Sequence, residues 1–330
     1  MGEFERRVLR LVSEGKLSAE EGEELLQAHD RGPLGDIRQL IEDGISDVRT
    51  RVRDFAEERE EEIAAGGLEG EGPVELDVQG EMSFRVQPGE PGRYRAVWRT
   101  GRTIFGDGPE RPRVLVEGRR IRIEAPSRGF GAMGLPFTGA SVLLYLPADS
   151  VLGGRIAENN GRIEVEGLAV AKLSMEAHNS RVRVDVPRIG TLKVVSRNGS
   201  IEVAADEGES VRVEAWNGRV SVRGALRDVE AMTRNGRIEG EIRPVQGGRC
   251  QLRTLNGAVE LRLPYGVAAD LRAETVHGAI IADVPGLRVA EDIRDVARRR
   301  LRGTVEGEKG DIAADLETTN GAVRIVQASR

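Results

Sequence analysis

Residues 192–203 have the sequence LKVVSRNGSIEV, and residues 211–222, VRVEAWNGRVSV, repeat its pattern. In both stretches aliphatic side chains alternate with polar ones on either side of an Asn-Gly pair. Alternation with a period of two is typical of a β-strand that has one buried face. The two stretches therefore predict a unit made of a strand, an Asn-Gly corner and a second strand.

This unit recurs along the second half of the chain at a nearly constant interval. Successive corners are 19, 19, 19, 18, 21 and 21 residues apart, and a last step of 43 accommodates two repeats with an irregular insert. Unrelated Asn-Gly pairs would not keep this interval, so the sequence contains a structural repeat that is clearest over residues 150–330. The corner asparagines are Asn160, Asn179, Asn198, Asn217, Asn235, Asn256 and Asn320. In two units the Asn-Gly pair is replaced, by Asn179-Ser180 and by His277-Gly278.

Two architectures accommodate the unit. Asn-Gly is the strongest two-residue signal for a β-hairpin. Alternatively, each unit is one coil of a β-solenoid, in which equivalent positions stack about 4.8 Å apart. We favour the solenoid, because the asparagine has the inward parity of the aliphatic residues and the position two before it is nearly always Ala, Ser or Thr. The open ends of such a stack need caps, for which the N-terminal helices or the insert 287–303 could serve.

The start of the chain predicts helices instead. Val8, Leu9 and Leu11 recur at helical spacing, and Ser18-Ala-Glu-Glu21 has the pattern of a capping box. We expect residues 1–30 to form a short helical hairpin domain that docks on another surface.

Residues 31–66 predict a charged amphipathic helix, roughly 36–65, that ends in a glycine-rich linker. The aliphatic side of this helix follows an a/d pattern for about two heptads. Two interpretations remain open: a seam for self-association or for a partner helix, and a helix packed on the β domain of its own chain. After the linker we place the β-solenoid at 73–330. The residues of the seam are Ile41, Ile45, Val48, Val52 and Phe55.

The tandem units, together with the ending GTVEGEKGDI (303–312) and TTNGAVRI (318–325), resemble the bacterial putative-adhesin family of unknown function. The opening VLRLVSEGKLSAEE (8–21) resembles the short helical domain that often precedes that family's repeats. The resemblance implies a mainly β fold, a right-handed parallel β-helix or β-solenoid, with a small α-helical N-terminal domain. Some relatives are linked to cell-envelope stress responses, and the family supplies no catalytic residues.

The composition excludes several functional classes. With 49 basic and 55 acidic residues the formal charge is −6, so there is no bulk attraction to nucleic acid. The single cysteine, Cys250, excludes an intrachain disulfide and a cysteine-rich zinc site. The glycines of residues 129–134 match a dinucleotide-binding fingerprint, but Leu135-Pro136 follows them and prevents the helix that this motif requires. We therefore expect no cofactor.

The first residues, MGEFERRVLRLVSEGK (1–16), place charges where a signal peptide needs a continuous apolar stretch. The longest apolar run, 140–148, is too short to cross a bilayer. We expect a cytoplasmic protein, or one held peripherally at a membrane.

A set of arginines follows the repeat and forms the candidate ligand surface. In stacked coils the side chains just before and just after each corner would lie several ångströms apart, able to hold the carboxylates or phosphates of an anionic polysaccharide or lipid surface. Trp216 lies on the same edge and could stack on a sugar ring. The alternative is a solubilising face of ion pairs, which the intervening glutamates favour. The arginines are Arg162, Arg181, Arg197, Arg219, Arg234 and Arg237.

Enzymatic activity is the weaker interpretation. Paired carboxylates for glycoside hydrolysis must converge within about 5 to 10 Å, whereas the outward glutamates of the repeat are interrupted by Arg183 and Ser221. We therefore predict a non-enzymatic structural or interaction protein, adhesin-like and linked to envelope stress, that binds a partner protein, itself or an anionic polymer. The alternatives are a self-assembling scaffold and a carbohydrate-active enzyme on a β-helix. The outward glutamates are Glu164, Glu202, Glu239 and Glu260.

Overall fold

The computed structural model of the chain describes residues 59–100, 110–125, 140–243, 245–295 and 298–328. These ranges contain 22 β-strands and no helix. In chain order the strands are β1 (Arg59–Gly67), β2 (Val74–Gly80), β3 (Ser83–Gly89), β4 (Arg93–Thr100), β5 (Arg113–Glu117), β6 (Arg120–Glu124), β7 (Ser141–Pro147), β8 (Val151–Glu158), β9 (Arg162–Glu166), β10 (Ala169–Asn179), β11 (Arg181–Asn198), β12 (Ile201–Asn217), β13 (Val220–Asn235), β14 (Ile238–Arg243), β15 (Gly248–Asn256), β16 (Val259–Leu263), β17 (Ala268–His277), β18 (Ile280–Asp283), β19 (Arg288–Arg294), β20 (Arg299–Val305), β21 (Asp311–Asn320) and β22 (Val323–Gln327).

The strands on the two sides of an Asn-Gly corner pair with the equivalent strands of neighbouring coils, not with each other. β11, β12 and β13 pair in parallel and in register, so that Asn198 lies beside Asn217 and Asn217 beside Asn235. Each of these three strands runs from one corner to the next, and the parallel faces before and after the corners enclose the core. The protein is therefore a β-solenoid, and the alternative of consecutive hairpins is wrong.

The core consists of columns of aliphatic side chains that the alternation of the sequence turns inward. Val194, Val213, Ala231 and Leu252 are cross-strand neighbours in successive coils, and each is 0% exposed. Burying a valine or leucine side chain stabilises a fold by about 1.5–3 kcal/mol. Because every coil repeats this contribution, the stack needs few aromatic residues.

At the C-terminal end the coils do not stack in chain order. The last coil, β21–β22, pairs with β15–β16 on one side and with β17–β18 on the other. β20 pairs antiparallel with β17, and β19 antiparallel with β20, which closes this end of one face. The insert 287–303 thus supplies most of the two capping strands.

The N-terminal end has the same arrangement. The first coil, β2–β3, lies between β6–β7 on its outer side and β8–β9 on its inner side. β5 pairs antiparallel with β6, while β4 pairs antiparallel with both β7 and β1. Both terminal coils are therefore inserted between two others, and antiparallel strands protect the edges that a parallel stack would leave open.

The prediction that the amphipathic helix extends to about residue 65 is wrong. Residues 59–65 lie in β1, as do the two glycines that we expected to begin a linker. Pairing with β4 outweighs the helix propensity of the glutamate-rich run, because Glu60 lies 2.5 Å from Arg99 and Glu62 lies 3.5 Å from Arg95. The compact unit that holds the solenoid accordingly begins at residue 59, not at 73.

Three predicted features lie outside the described residues: the helical domain 1–30, the seam from Ile41 to Phe55, and the glycine motif at 129–134. In the part of the chain that the structure describes, no helix has the length and apolarity needed to span a membrane.

Candidate functional site

The corners form one continuous hydrogen-bonded ladder. The Nδ2 of each asparagine donates to Oδ1 of the asparagine in the neighbouring coil, at 2.7–3.0 Å. Asn320 stacks directly on Asn256, and His277 lies beyond Asn320. The asparagines share the alternation of the buried aliphatic residues. Their side chains nevertheless lie at the surface, because the strands end at the corners. The ladder runs through Asn160, Asn179, Asn198, Asn217, Asn235, Asn256 and Asn320.

Glycine follows every asparagine of the ladder except Asn179, which precedes Ser180, because the backbones of successive corners approach closely. A Cβ on Gly218 would lie 1.8 Å from the carbonyl oxygen of Gly199, and the φ of Gly218 is +149°. Residues with a side chain rarely adopt such a backbone conformation. The asparagine therefore provides the ladder, and the glycine permits the approach that the ladder requires.

The small residue two positions before the corner Asn or His holds several corners in place. The buried hydroxyls of Thr254, Thr275 and Thr318 donate to glycine carbonyl oxygens of the adjacent coil at 2.9–3.1 Å. These bonds fix the backbone of the corners at Gly236, Gly257 and Gly321, in the C-terminal part of the ladder.

The predicted arginines flank this ladder, and all of them are exposed. One file follows the corners and is interrupted by Ser200, while a second file precedes them, with Trp216 between its two arginines. Neighbouring coils lie about 4.8 Å apart. We call this surface the arginine face; it consists of Arg162, Arg181, Arg197, Trp216, Arg219, Arg234 and Arg237.

Ion pairs distinguish the two ends of the face from its centre. Arg162 lies 3.4 Å from Glu164, and the guanidinium of Arg237 lies 2.9 Å from Glu239 and also contacts Glu260. The four arginines between these ends make no ion pair with any residue that the structure describes. Four guanidinium groups are thus exposed without an ion pair to a described carboxylate: Arg181, Arg197, Arg219 and Arg234.

Trp216 is 50% exposed, and the guanidinium carbon of Arg234 lies 3.9 Å from its ring centroid. A cation at this distance is held by the negative face of the ring. One face of Trp216 is therefore occupied, and a stacking sugar would have to use the other face, on the side of the coil that carries Arg197.

The carboxylates beside the face form ion-pair clusters. Glu239 and Glu260 are cross-strand neighbours, and Arg237 contacts both. Burial alone would raise the pKa of Glu260, but hydrogen bonds from Arg262 and Arg237 outweigh burial and hold this pKa below its usual range. The general acid of a glycosidase needs a raised pKa. Glu260 therefore lacks the electrostatics of such a general acid.

Cys250 is fully buried on the inward face, as its parity predicts. Burial, and to a smaller extent the charge of Asp228, raise the pKa of its thiol to about 12. The thiol is therefore neutral and a poor nucleophile at ordinary pH. Within the described ranges no group of three His, Cys, Asp or Glu side chains is placed to hold a metal ion.

The structure also contains a concave site that was not predicted from the sequence. Tyr94 and Tyr145 line it. These residues are 51 positions apart and line one pocket because β4 pairs with β7 outside the repeat. The Pro91-Gly92 turn that borders this site is the one local signal that could have drawn attention to it.

A family model described as Toastrack DUF4097 matches residues 101–329, and a model described as a SHOCT-like domain matches residues 3–33. Two solved structures are similar. One is a putative cell adhesion protein from Clostridium sporogenes, with 13% identity and a TM-score of 0.29, covering 82% of this chain and 100% of that chain. The other is a putative adhesin from Bacteroides fragilis, with 9% identity and a TM-score of 0.28. This match covers 82% of this chain and 97% of that chain. None of the curated proteins matches the chain.

Proposed function

The chain belongs to the Toastrack DUF4097 family, and on this basis we propose that it is a non-enzymatic, adhesin-like module whose arginine face binds an acidic polysaccharide. The family match confirms the resemblance to a putative-adhesin family of unknown function. Our proposal includes the right-handed winding and the helical N-terminal domain, the latter supported by the SHOCT-like match over residues 3–33. A role in envelope stress and a cytoplasmic or membrane-peripheral location belong to it as well.

The four central guanidinium groups of the arginine face are the observation that supports this function most directly. Many other arginines of the solenoid contact carboxylates, for example Arg212 with Glu214 at 2.9 Å and Arg253 with Asp315 at 3.0 Å. In a chain with a formal charge of −6, a row of guanidinium groups without such partners is a local site for anions. Each group can bind a carboxylate through two parallel hydrogen bonds.

The rigid spacing of the coils favours a linear polymer over a single small anion. Arg181 and Arg219 are two coils apart and thus separated by about 9.6 Å along the stack. A chain of acidic sugars can place successive carboxylates along such a row, whereas a lipid surface would need cations spread over a plane. Trp216, in the middle of the row, offers an aromatic surface to a sugar ring.

Binding to alginate, a polymer of acidic sugars, tests the function, with neutral dextran for comparison. We expect the parent to bind alginate at low salt and not dextran, with affinity falling as salt screens the charges. The double variant Arg197→Glu, Arg219→Glu should bind alginate at least about tenfold more weakly, because two charge-assisted hydrogen-bonding groups become repulsive.

A matched control separates the arginine face from net charge. Arg249 and Arg272 are exposed, lie elsewhere on the solenoid and make no ion pair within the described ranges. Their double change to glutamate alters the total charge equally and should leave alginate binding unchanged. Equal binding by the face variant and the parent would refute the proposal, and binding to anionic phospholipid vesicles but not to alginate would reassign the face to lipid. Protease digestion of intact and lysed native cells tests the location.

A further inference from the structure

A pocket of about 240 Å³ opens at the N-terminal end of the solenoid, among β1, β4, β7 and the turn between β3 and β4. Residues 90–93 form this turn: Pro91 takes its second place, Gly92 with φ +71° its third, and the Arg93 amide donates to the Glu90 carbonyl at 3.4 Å. This combination is typical of a type II turn. Glu90 and Arg93 both line the pocket and are both exposed.

Two of the three tyrosines of the chain line this pocket, and both are half-buried. Tyr94 lies opposite Gly66 of β1, where an added Cβ would come within 3.1 Å of the ring. Tyr145 lies beside Gly89, where an added Cβ would come within 2.8 Å of the Cβ of Tyr145. The two glycines therefore leave the space that the tyrosine side chains occupy.

The charged groups around the rings are balanced, with two carboxylates and two guanidinium groups. Arg95 lies 5.2 Å from the ring centroid of Tyr145 and 3.5 Å from Glu62. Glu90 and Arg93 make no ion pair with another described residue. The pocket thus places hydrogen-bond acceptors and donors next to each other beside the ring of Tyr145, with no excess of either charge to select an ion.

We propose that this pocket binds one neutral sugar unit, a hexose or an N-acetylhexosamine. The apolar face of a pyranose ring packs on an aromatic side chain, and adjacent hydroxyls can donate to a carboxylate and accept from a guanidinium. The volume lies just below the roughly 300–1,000 Å³ of pockets for drug-sized ligands, which suits a single ring. This site is separate from the arginine face, and its ligand is uncharged.

Saturation-transfer NMR on the full chain tests the pocket, with glucose, galactose, mannose and N-acetylglucosamine as separate probes. We expect saturation to reach at least one of them. Tyr145→Ala should weaken that sugar's binding roughly tenfold, because the aromatic contact is lost. Tyr265→Ala is the matched control, since Tyr265 is the third tyrosine, is 56% exposed and does not line the pocket.

Two further variants keep the test decisive if the alanine variant proves unstable. Glu90→Gln changes an exposed residue at the turn and should reduce sugar binding several-fold, whereas Tyr145→Phe keeps the ring and should retain most of it. Failure of all four sugars to receive saturation, or equal binding by parent, Tyr145→Ala and Glu90→Gln, would overturn the inference. Because Arg197→Glu, Arg219→Glu should bind the monosaccharide as the parent does, this result is independent of the outcome with alginate.

Discussion

The central coils of the solenoid stack in the order of the chain, whereas the coils at its two ends do not. In the centre Asn217 donates to Asn198, 19 residues away, but at the C-terminal end Asn320 donates to Asn256, 64 residues away. The hydrogen bonds are nearly identical, at 2.8 and 2.7 Å. The corner chemistry is therefore the same in both regions, and only the connection between coils differs.

The difference shows how a stack of identical units can protect its own ends. A terminal coil in a sequential solenoid has one neighbour and can detach alone. Here the last coil has a parallel neighbour on each side, and so does the first. To leave the stack, either coil must break two ladders of backbone hydrogen bonds instead of one, so the first and last coils are held within the stack.

Removal of the last coil should disturb the solenoid more than any single substitution. We expect deletion of residues 311–330 to separate β15–β16 from β17–β18 and to abolish protection of both from hydrogen exchange, because each loses a complete parallel neighbour. A control that lacks only residues 329 and 330 should behave as the full chain. If exchange in β15–β18 stays slow in the deletion variant, these coils dock on each other directly and the inserted coil is dispensable.

The repeat made the central coils predictable from the sequence, because every determinant of a coil lies within one unit. Inward aliphatic residues, the corner asparagine and its glycine recur at one interval, which is sufficient to predict parallel, in-register stacking. The order of the end coils could not be predicted in this way, since Asn320 fits equally well on any corner. His277 was the one available signal: it stands at the end of the ladder, where a corner has only one neighbour.

The candidate sites differ in the same respect. The arginine face follows directly from the repeat, so its residues and their common edge were predictable, although the contact between Arg234 and Trp216 was not. The pocket that Tyr94 and Tyr145 line depends on β1 pairing with β4 and on β4 pairing with β7. The glutamate-rich sequence of β1 resembles that of a helix, and its cross-strand arginines lie more than 30 positions further along the chain. Local propensity misleads where such long-range pairing decides the structure.

Because the central corners approach each other closely, replacing glycine by alanine should lower the free energy of unfolding more at a corner than at an open turn. Gly218→Ala should lower the free energy of unfolding by about 4 kcal/mol or more, because the new Cβ would meet a carbonyl oxygen at 1.8 Å. Gly247→Ala is the control: its φ of +73° is also unfavourable for alanine, but no atom lies within 4 Å of the added Cβ, so a loss of about 1–2 kcal/mol is expected. Urea unfolding with an unchanged m-value measures both. Equal losses would mean that backbone conformation alone, and not the approach of neighbouring coils, requires glycine at the corner.

Substitutions in the asparagine ladder should show the smallest difference in unfolding free energy between the centre and the end of the stack. Asn217 donates to Asn198 and accepts from Asn235, so Asn217→Ala removes two side-chain hydrogen bonds and should cost about 1–2 kcal/mol. His277 stands at the last corner with one neighbour, and His277→Ala should change stability by less than about 0.5 kcal/mol, as is usual for an exposed site. Urea midpoints of the two variants and the parent measure both effects.

Because the ladder is exposed, water can replace part of each lost hydrogen bond. The loss of stability in Asn217→Ala therefore reports how much the rigid alignment of the amides adds beyond solvation. A loss at Asn217 no greater than that at His277 would mean that the ladder follows from the stacking of the strands and contributes nothing to it.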